Sequence, residues 1–257
     1  MSNMLKILEI RLQIDFKTDD KSVKPLGMIM NEILSAHMDE DYRAQISGQM
    51  IKPYTQSIVY QPEKNIYSWK IAALNTQATE KILYVIKDNL PDRIEPAEYG
   101  MVLTVQAKNY IHSATYHQLV EKYFGMNCRL KRVDLEFITP TVFFTDEQTV
   151  LPQNVNLLDN LLYVWNLFAE ENILRERNLS ANLADQLYVI DYDFRLKPVQ
   201  LSDEQIPALT GMYHLGLKAN IMTKKIICML SEYARYCGIG RNTHLGMGCV
   251  KPVVFRK

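Results

Sequence analysis

The stretch Gly238-Ile239-Gly240-Arg241-Asn242-Thr243-His244-Leu245-Gly246-Met247-Gly248 lies between the last predicted helix and the last predicted strand of this 257-residue chain. It lacks the Gly-Lys-Ser/Thr of a Walker A loop, and it follows a helix and precedes a strand, unlike a Rossmann fingerprint. Its glycines would let the backbone approach a phosphate closely, and Arg241 with nearby Arg235 adds positive charge. The pattern fits a phosphate cradle and a flexible hairpin loop equally well.

The elements around this stretch have a regular order. The helix before it spans Thr223–Tyr236 and the strand after it spans Met247–Phe255. Upstream we predict a strand, a helix and two strands: Arg132–Phe144, Leu157–Phe168, Leu187–Leu201 and Gly211–Lys218. The second half of the chain therefore reads strand, helix, strand, strand, helix, strand.

The first half gives the same order. Ile7–Phe16 alternates apolar and polar residues as a strand, and a helix starts near Pro25 after a polar loop, Lys17–Lys24. Further elements are strands Ser57–Tyr60 and Tyr67–Leu74, a helix capped by Thr76, and strand Met101–Ile111. Tyr116–Phe124 is a short helix that we interpret as a linker.

Two passes of this order predict an α+β protein made of two tandem ferredoxin-like (RRM-like) βαββαβ domains. We place the first domain, with its linker helix, at residues 1–126. The second, with the glycine-rich stretch, is placed at residues 127–257.

The formal charge is zero, from 29 basic and 29 acidic residues, but the charges are unevenly distributed. Residues 195–257 hold ten basic and three acidic side chains, a net of +7, so residues 1–194 sum to −7. This asymmetry indicates either a surface that faces a polyanion or a solvated basic face. With 47% hydrophobic residues the chain is not disordered.

No apolar run approaches the length of a membrane span, and the N-terminus does not resemble a signal peptide, so we expect a cytoplasmic protein with no membrane partner. The four cysteines include Cys128 and form no C-x-x-C pair. Cys237, His244 and Cys249 come nearest to a metal constellation, but buried free thiols are the favoured interpretation. We predict no metal and no cofactor.

The glycine-rich stretch and three others together resemble one family. The others are Lys52-Pro53-Tyr54-Thr55-Gln56-Ser57, Tyr116-His117-Gln118-Leu119 and Glu136-Phe137-Ile138-Thr139-Pro140-Thr141-Val142-Phe143. The chain is similar to the CRISPR-associated endoribonucleases that process repeat RNA, the sixth Cas family within the RAMP superfamily. Ile206-Pro207-Ala208-Leu209-Thr210-Gly211 is similar to subtype III-A members.

This resemblance implies an endoribonuclease that cleaves CRISPR precursor RNA within repeats without a metal. The ribose 2′-OH would attack the scissile phosphate and leave a 2′,3′-cyclic phosphate and a 5′-OH. It implies a catalytic histidine a few residues before Lys52, where this chain has Ser47. His37 is therefore our candidate acid or base, with a surface or core histidine as the alternative. Lys52 is the candidate for the scissile phosphate, and Tyr42 could donate a hydrogen bond to the phosphorane.

A larger set is expected to bind RNA. It comprises Tyr54, Ser57, Arg235, Gly238, Gly240, Arg241, Asn242, His244, Gly246 and Gly248. His117 and His214 are expected to be structural.

The absence of a histidine at Ser47 leaves a second hypothesis open. The chain could be a catalytically weak or inactive repeat-RNA-binding subunit of a CRISPR complex. Repeat RNA is the expected partner under both hypotheses, and effector-complex subunits or a second copy of the chain could also bind.

Overall fold

The computed structural model describes residues 3–16, 25–125, 130–143, 150–201, 204–218 and 220–256. The predicted loop 17–24, Cys128, Phe144 and the predicted domain boundary at 126/127 lie outside the described residues. Within them, no helix is long and apolar enough to cross a membrane.

The first half of the chain forms one antiparallel sheet. Its strands are β1 (Met4–Phe16), β2 (Tyr54–Gln61), β3 (Ile66–Ala73), β4 (Arg93–Ile94) and β5 (Met101–Thr115), in the order β2-β3-β1-β5-β4. Without the two-residue edge strand β4, this is the strand order of a ferredoxin-like domain.

Three helices belong to this half: α1 (Leu26–Ala36), α2 (Glu40–Ser47) and α3, which comprises Thr76–Ala78, a π-helical segment Thr79–Tyr84 and Val85–Asn89. Asn75 caps α3 by accepting a hydrogen bond from the Ala78 amide at 2.7 Å, so the prediction of Thr76 as the cap is one residue off. Helix α2 has only two buried side chains, Tyr42 and Ile46, and so lacks the apolar periodicity by which helices are predicted.

The second half forms a four-stranded antiparallel sheet of β6 (Leu130–Thr141), β7 (Leu187–Leu201), β8 (Glu204–Leu217) and β9 (Val250–Arg256), in the order β7-β8-β6-β9. Helix α4 (Tyr116–Phe124) precedes this sheet in the chain. The helices within this half are α5 (Asn154–Phe168), α6 (Leu179–Ala184) and α7 (Ile221–Cys237). The predicted pair of tandem ferredoxin-like α+β domains is confirmed. Strand β8 starts seven residues before its predicted beginning at Gly211, because Pro207 hides the strand pattern.

Strand β1 contributes to two hydrophobic cores. Leu8, Ile10 and Leu12 pack in the core of the first domain, whereas Leu5 and Ile7 pack with residues of the second. The face change follows from the two-residue side-chain period of a strand. One strand thus ties the domains together.

Helix α4 has the predicted bounds, but it is part of the second core rather than a free linker. Tyr116, Leu119 and Tyr123 are at most 3% exposed. The Tyr116 hydroxyl donates to the Leu74 carbonyl oxygen at 3.0 Å and lies 2.9 Å from the Tyr233 hydroxyl. The helix therefore joins the residue that follows β3 in one domain to α7 of the other.

We expect Leu119→Ala to lower the free energy of unfolding by about 2–4 kcal/mol, because it opens a cavity in this core. His117→Ala, on the exposed face where the imidazole pairs with Glu121, should change it by less than about 0.5 kcal/mol. Urea denaturation of both variants checks this. Equal effects would mean that α4 does not carry the packing described.

Candidate nucleic-acid interface

The glycine-rich stretch folds as a closely packed turn. Gly238, Gly240, Gly246 and Gly248 all have positive φ, from 66° to 92°. A Cβ on Gly240 would lie 2.3 Å from the Val142 carbonyl oxygen. These are backbone conformations and approaches that only glycine tolerates.

Three of the four glycine amides of this turn are bonded to the protein itself. Gly238 donates to the Ala234 carbonyl at 2.9 Å, Gly240 to Asn160 Oδ1 at 3.0 Å, and Gly248 to the Pro140 carbonyl at 2.9 Å. In this structure the glycines let backbone approach backbone. Binding of RNA by this stretch stays a prediction.

The turn is fastened to strand β2 of the first domain. Thr55 Oγ1 donates to the Tyr236 carbonyl oxygen at 2.7 Å. Gln56 Nε2 donates to the carbonyl oxygens of His244 at 3.0 Å and Gly27 at 2.6 Å, while its Oε1 accepts from Trp69. The Gln56 side chain is buried with all of these bonds made, so it fixes the turn relative to α1 and β3.

A cavity of about 370 Å³ opens where the turn meets the segment before β2. We call it the loop pocket. Its lining residues are Met50, Ile51, Lys52, Gly240, Arg241, Asn242, Thr243 and His244. Five residues selected from the sequence, in two distant segments, are thus brought together.

Lys52 is anchored at the end of α2. Its Nζ donates to the carbonyl oxygens of Ile46 at 2.8 Å, Ser47 at 2.5 Å and Gln49 at 2.8 Å. An ammonium group has three donors, so all of them are used. Burial lowers the pKa of the Lys52 ammonium. A contact with a phosphate would have to replace one of these carbonyl oxygens.

His244 is held as a neutral imidazole beside Lys52. Burial, and secondarily the Lys52 charge, lowers its pKa to about 4. Its ring lies edge-on to Tyr54, with centroids 6.4 Å apart. At neutral pH it can exchange hydrogen bonds with RNA but cannot supply a cationic charge.

The predicted tyrosines lie beneath the surface. Tyr42 and Tyr54 are each 3% exposed, and burial raises the pKa of both hydroxyls to about 12. Tyr54 donates to Asn31 Oδ1 at 2.8 Å, whereas the Tyr42 hydroxyl has no hydrogen-bond partner among the described residues. The structure does not bring either hydroxyl into the loop pocket.

His37 lies at the opposite end of α1 from the turn. Gly27, at the start of α1, packs against Gly246, and ten residues of helix place His37 about 15 Å farther along. Its Nδ1 is 2.8 Å from the Ile33 carbonyl oxygen. The structure therefore separates His37 from the loop pocket, whereas Ser47 lies next to Lys52.

A second cavity, of about 190 Å³, lies between the two domains. We call it the junction cavity. Ser57, Arg235 and Gly238 line it, so these predicted residues are separate from Lys52 and Arg241. Other lining residues include three basic side chains that sequence reasoning missed, Lys70, His112 and Lys251. Burial, then Arg235 and Lys70, lowers the pKa of His112.

Two other histidines have the structural surroundings expected. His214 Nδ1 lies 2.9 Å from Asp134 Oδ1, and His117 pairs with Glu121 on the helix surface. The described residues contain no group of three His, Cys, Asp or Glu side chains arranged to hold a metal ion.

The chain has tandem ferredoxin-like domains with a glycine-rich turn at their junction, which is the fold of RAMP proteins. One solved RAMP protein, described as binding different RNA substrates, superposes on it with a TM-score of 0.56 at 13% identity. The match covers 96% of this chain and 99% of the other. The family model for CRISPR-associated endoribonuclease Cas6 matches residues 135–250. In this region the chain is similar to that family.

Two comparisons extend the match to the whole chain. A Cas6 endoribonuclease of Streptococcus thermophilus is 22% identical, over 96% of this chain and 98% of the relative. A solved Cas6 product complex superposes with a TM-score of 0.78 at 17% identity, over 97% of this chain and 99% of the other.

We expect Gly240→Ala to lower the free energy of unfolding by at least about 2 kcal/mol, since its φ of 91° and the Val142 oxygen both oppose a side chain. Gly48→Ala is the matched control. Gly48 has a φ of −80°, and no atom of the described residues lies within 4 Å of its Cβ position, so the effect should stay within about 0.5 kcal/mol. Thermal or urea unfolding decides, and an unaffected Gly240→Ala variant would contradict the packing.

Proposed function

We propose that this chain cleaves CRISPR repeat RNA, and that the loop pocket is where the cut strand binds. The match of residues 135–250 to an endoribonuclease family model supports this, as do solved neighbours described as Cas6 product and substrate-mimic complexes. The observation that carries the proposal is the loop pocket itself. It places the Lys52 and Arg241 cations and the His244 ring around one cavity, fixed by the buried Gln56.

The proposed chemistry needs no metal. The 2′-OH on the upstream side of the cut attacks the scissile phosphate, so that a 2′,3′-cyclic phosphate forms and the 5′-oxygen leaves with a proton. Negative charge grows on the phosphorane oxygens, and the protein must offer cations or hydrogen-bond donors there. Lys52 would exchange one backbone carbonyl for a phosphate oxygen, since the phosphate oxygen carries a negative charge and the carbonyl oxygen does not.

For the proton transfers we propose His37. A carbonyl oxygen can only accept, so the contact with Ile33 places a proton on Nδ1 and leaves Nε2 as the base. His37 is half-buried and within reach of an RNA strand that runs along α1 and α2 from the loop pocket. His244, being neutral, would orient RNA rather than act as the acid.

The second candidate function, a repeat-RNA-binding subunit with little catalysis, is favoured by one observation. The residue beside Lys52 is Ser47, whose hydroxyl donates to the Ala44 carbonyl at 2.8 Å and provides no base. His37 lies at the other end of α2, about 12 Å away along that helix. Association with effector subunits and a cytoplasmic location stay predictions.

The junction cavity supports binding of RNA beyond the cut. Lys70, His112, Arg235 and Lys251 surround it, and the Arg235 Nη2 donates to the Pro252 carbonyl oxygen at 3.2 Å. Lys70, Arg235 and Lys251 are the cations of this group, because the lowered pKa of His112 favours its neutral form. Cations held between two domains attract a polyanion, and each phosphate contact adds to the salt dependence of binding.

The first test is cleavage of a repeat RNA by excess protein in EDTA. We expect a shortened product that ends in a 2′,3′-cyclic phosphate. A deoxy nucleotide immediately upstream of the cut should abolish cleavage and leave the affinity unchanged. Absence of product well above the dissociation constant would refute the nuclease, and persistent cleavage of the deoxy RNA would refute attack by the 2′-OH.

The second test assigns the residues through single-turnover rates. His37→Ala and Lys52→Ala should each lower the rate by about 100-fold while the RNA dissociation constant changes little. Lys64→Ala, an exposed lysine in the Pro62–Lys64 turn, is the control and should change neither. If His37→Ala has no effect and Ser47→His raises a slow rate, the binding-subunit hypothesis is the better one.

A further inference from the structure

The edge strand β7 has an unusual surface. In the described part of the chain it pairs with β8 alone, so one side of its backbone is open. Its residues 188–193 and 195–198 are all exposed, and the apolar Tyr192 and Leu196 are exposed by 59% and 60%. An open edge with apolar side chains is a template for pairing with another strand.

Among the described residues, no third strand pairs with the outer half of the β7–β8 hairpin. Strand β6 pairs with β8 from Leu209 to Gly216, so the hairpin beyond Leu196 and Leu209 extends past the sheet. A two-stranded hairpin is marginally stable in water when nothing covers it. The part of the β7–β8 hairpin that extends past the sheet, which we call the ribbon, therefore needs a neighbour for stability.

The structure also shows which backbone groups face the open side. A Cβ on Gly211 of β8 would lie 2.0 Å from the Asp193 carbonyl oxygen, so Asp193 faces β8. The Tyr192 amide instead donates to the Asp191 side chain at 2.8 Å. Because alternate residues point opposite ways, Tyr192, Phe194 and Leu196 present their amides and carbonyls to the open edge.

The side chains of β7 alternate with the same period. Asp191, Asp193, Arg195 and Lys197 are on one face. Tyr192, Phe194 and Leu196 are on the other face, where the Tyr192 and Phe194 rings stack with centroids 5.3 Å apart. Along the charged face two negative residues are followed by two positive ones, so the strand is complementary to an antiparallel copy of itself.

We propose that two copies of this chain dimerise through the open edges of β7, antiparallel and centred on Phe194. Asp193 of each copy then faces Arg195 of the other, and Asp191 faces Lys197. Tyr192 faces Leu196 on the apolar face, and the backbones of Tyr192, Phe194 and Leu196 exchange hydrogen bonds. The Asp191 carboxylate loses its hydrogen bond from the Tyr192 amide and gains an ion pair with Lys197 of the other copy.

Other registers fail on charge. Centring the pair on Tyr192 places Asp191 opposite Asp193, and centring it on Leu196 places Arg195 opposite Lys197. Centring on Asp193 or Arg195 places that charge opposite its own copy. Like charges directly opposite on paired strands are destabilising, so the register centred on Phe194 is the one that pairs all four charges. The two sheets become one continuous sheet, and each extending ribbon lies against the base of the other.

Sedimentation equilibrium of the full chain without RNA tests this proposal, which does not depend on the proposed function. The wild type should dimerise in a salt-sensitive way. Arg195→Asp and Asp193→Arg should each raise the dimer dissociation constant by about tenfold or more, because each creates like-charged pairs. Arg93→Asp, on the edge strand β4 of the first domain, is the control and should change nothing.

Two further samples, in which the charges of residues 193 and 195 are exchanged, give the decisive measurements. The double variant Asp193→Arg/Arg195→Asp should dimerise like the wild type, since every opposite pair is restored. An equimolar mixture of the two single variants should form heterodimers, although neither dimerises well alone. Circular dichroism confirms that each variant is folded.

Three outcomes would overturn the proposal. The first is a wild type that stays monomeric at every concentration, and the second is a mixture that forms no heterodimer. The third is a monomeric protein whose Arg195→Asp variant loses affinity for repeat RNA. In that case the ribbon is an RNA contact instead.

Discussion

The arrangement of the site depends on one constraint: the backbone of the glycine-rich turn must lie against the first domain. Gly246 and Gly27 pack so closely that a Cβ on Gly246 would lie 3.0 Å from the Gly27 Cα, and a Cβ on Gly27 would meet the Leu245 carbonyl oxygen at 2.3 Å. Gln56 completes the contact by bonding to both segments. Because this contact joins the domains, the loop pocket exists only when both are folded and docked.

The uneven distribution of charge, −7 over residues 1–194 and +7 over residues 195–257, has a different meaning once the side chains are located. Of the ten basic residues in the C-terminal portion, Arg241 lines the loop pocket and Arg235 and Lys251 line the junction cavity, while Arg195 and Lys197 lie on the open edge of β7. Lys52 and Lys70, which complete the two cavities, come from the acidic portion. The positive lining of the two cavities is therefore assembled from both domains, and a sum over a segment does not describe it.

The sequence predicted the fold well where side-chain periodicity controls structure. Strand β7 and helix α4 have the predicted bounds, and both passes of the βαββαβ order are present. The errors occur where another effect decides. Helix α2 has too few apolar residues to show a period, and Pro207 conceals the start of β8. The burial of α4 depends on Trp165 and Tyr233, which are distant in the sequence.

Residues of the candidate site could be selected from the sequence, but their arrangement in space could not. The motifs selected Lys52 and Arg241, and the fold brings them to one cavity. Sequence spacing could not show that the glycine amides are used internally, or that Tyr42 and Tyr54 point into the core. Lys70 and His112 were missed because each is one basic residue in an ordinary strand, and only the sheet and the second domain bring them together.

The position of Lys52 shows how structure and charge are coupled at this pocket. Its ammonium stabilises the last carbonyls of α2, where the negative end of the helix dipole lies, so part of its charge is already compensated in the free protein. A phosphate that enters the pocket competes with those carbonyls, and the end of α2 loses a hydrogen bond when the phosphate gains one. Binding at Lys52 is therefore coupled to the order of the segment from Ser47 to Lys52.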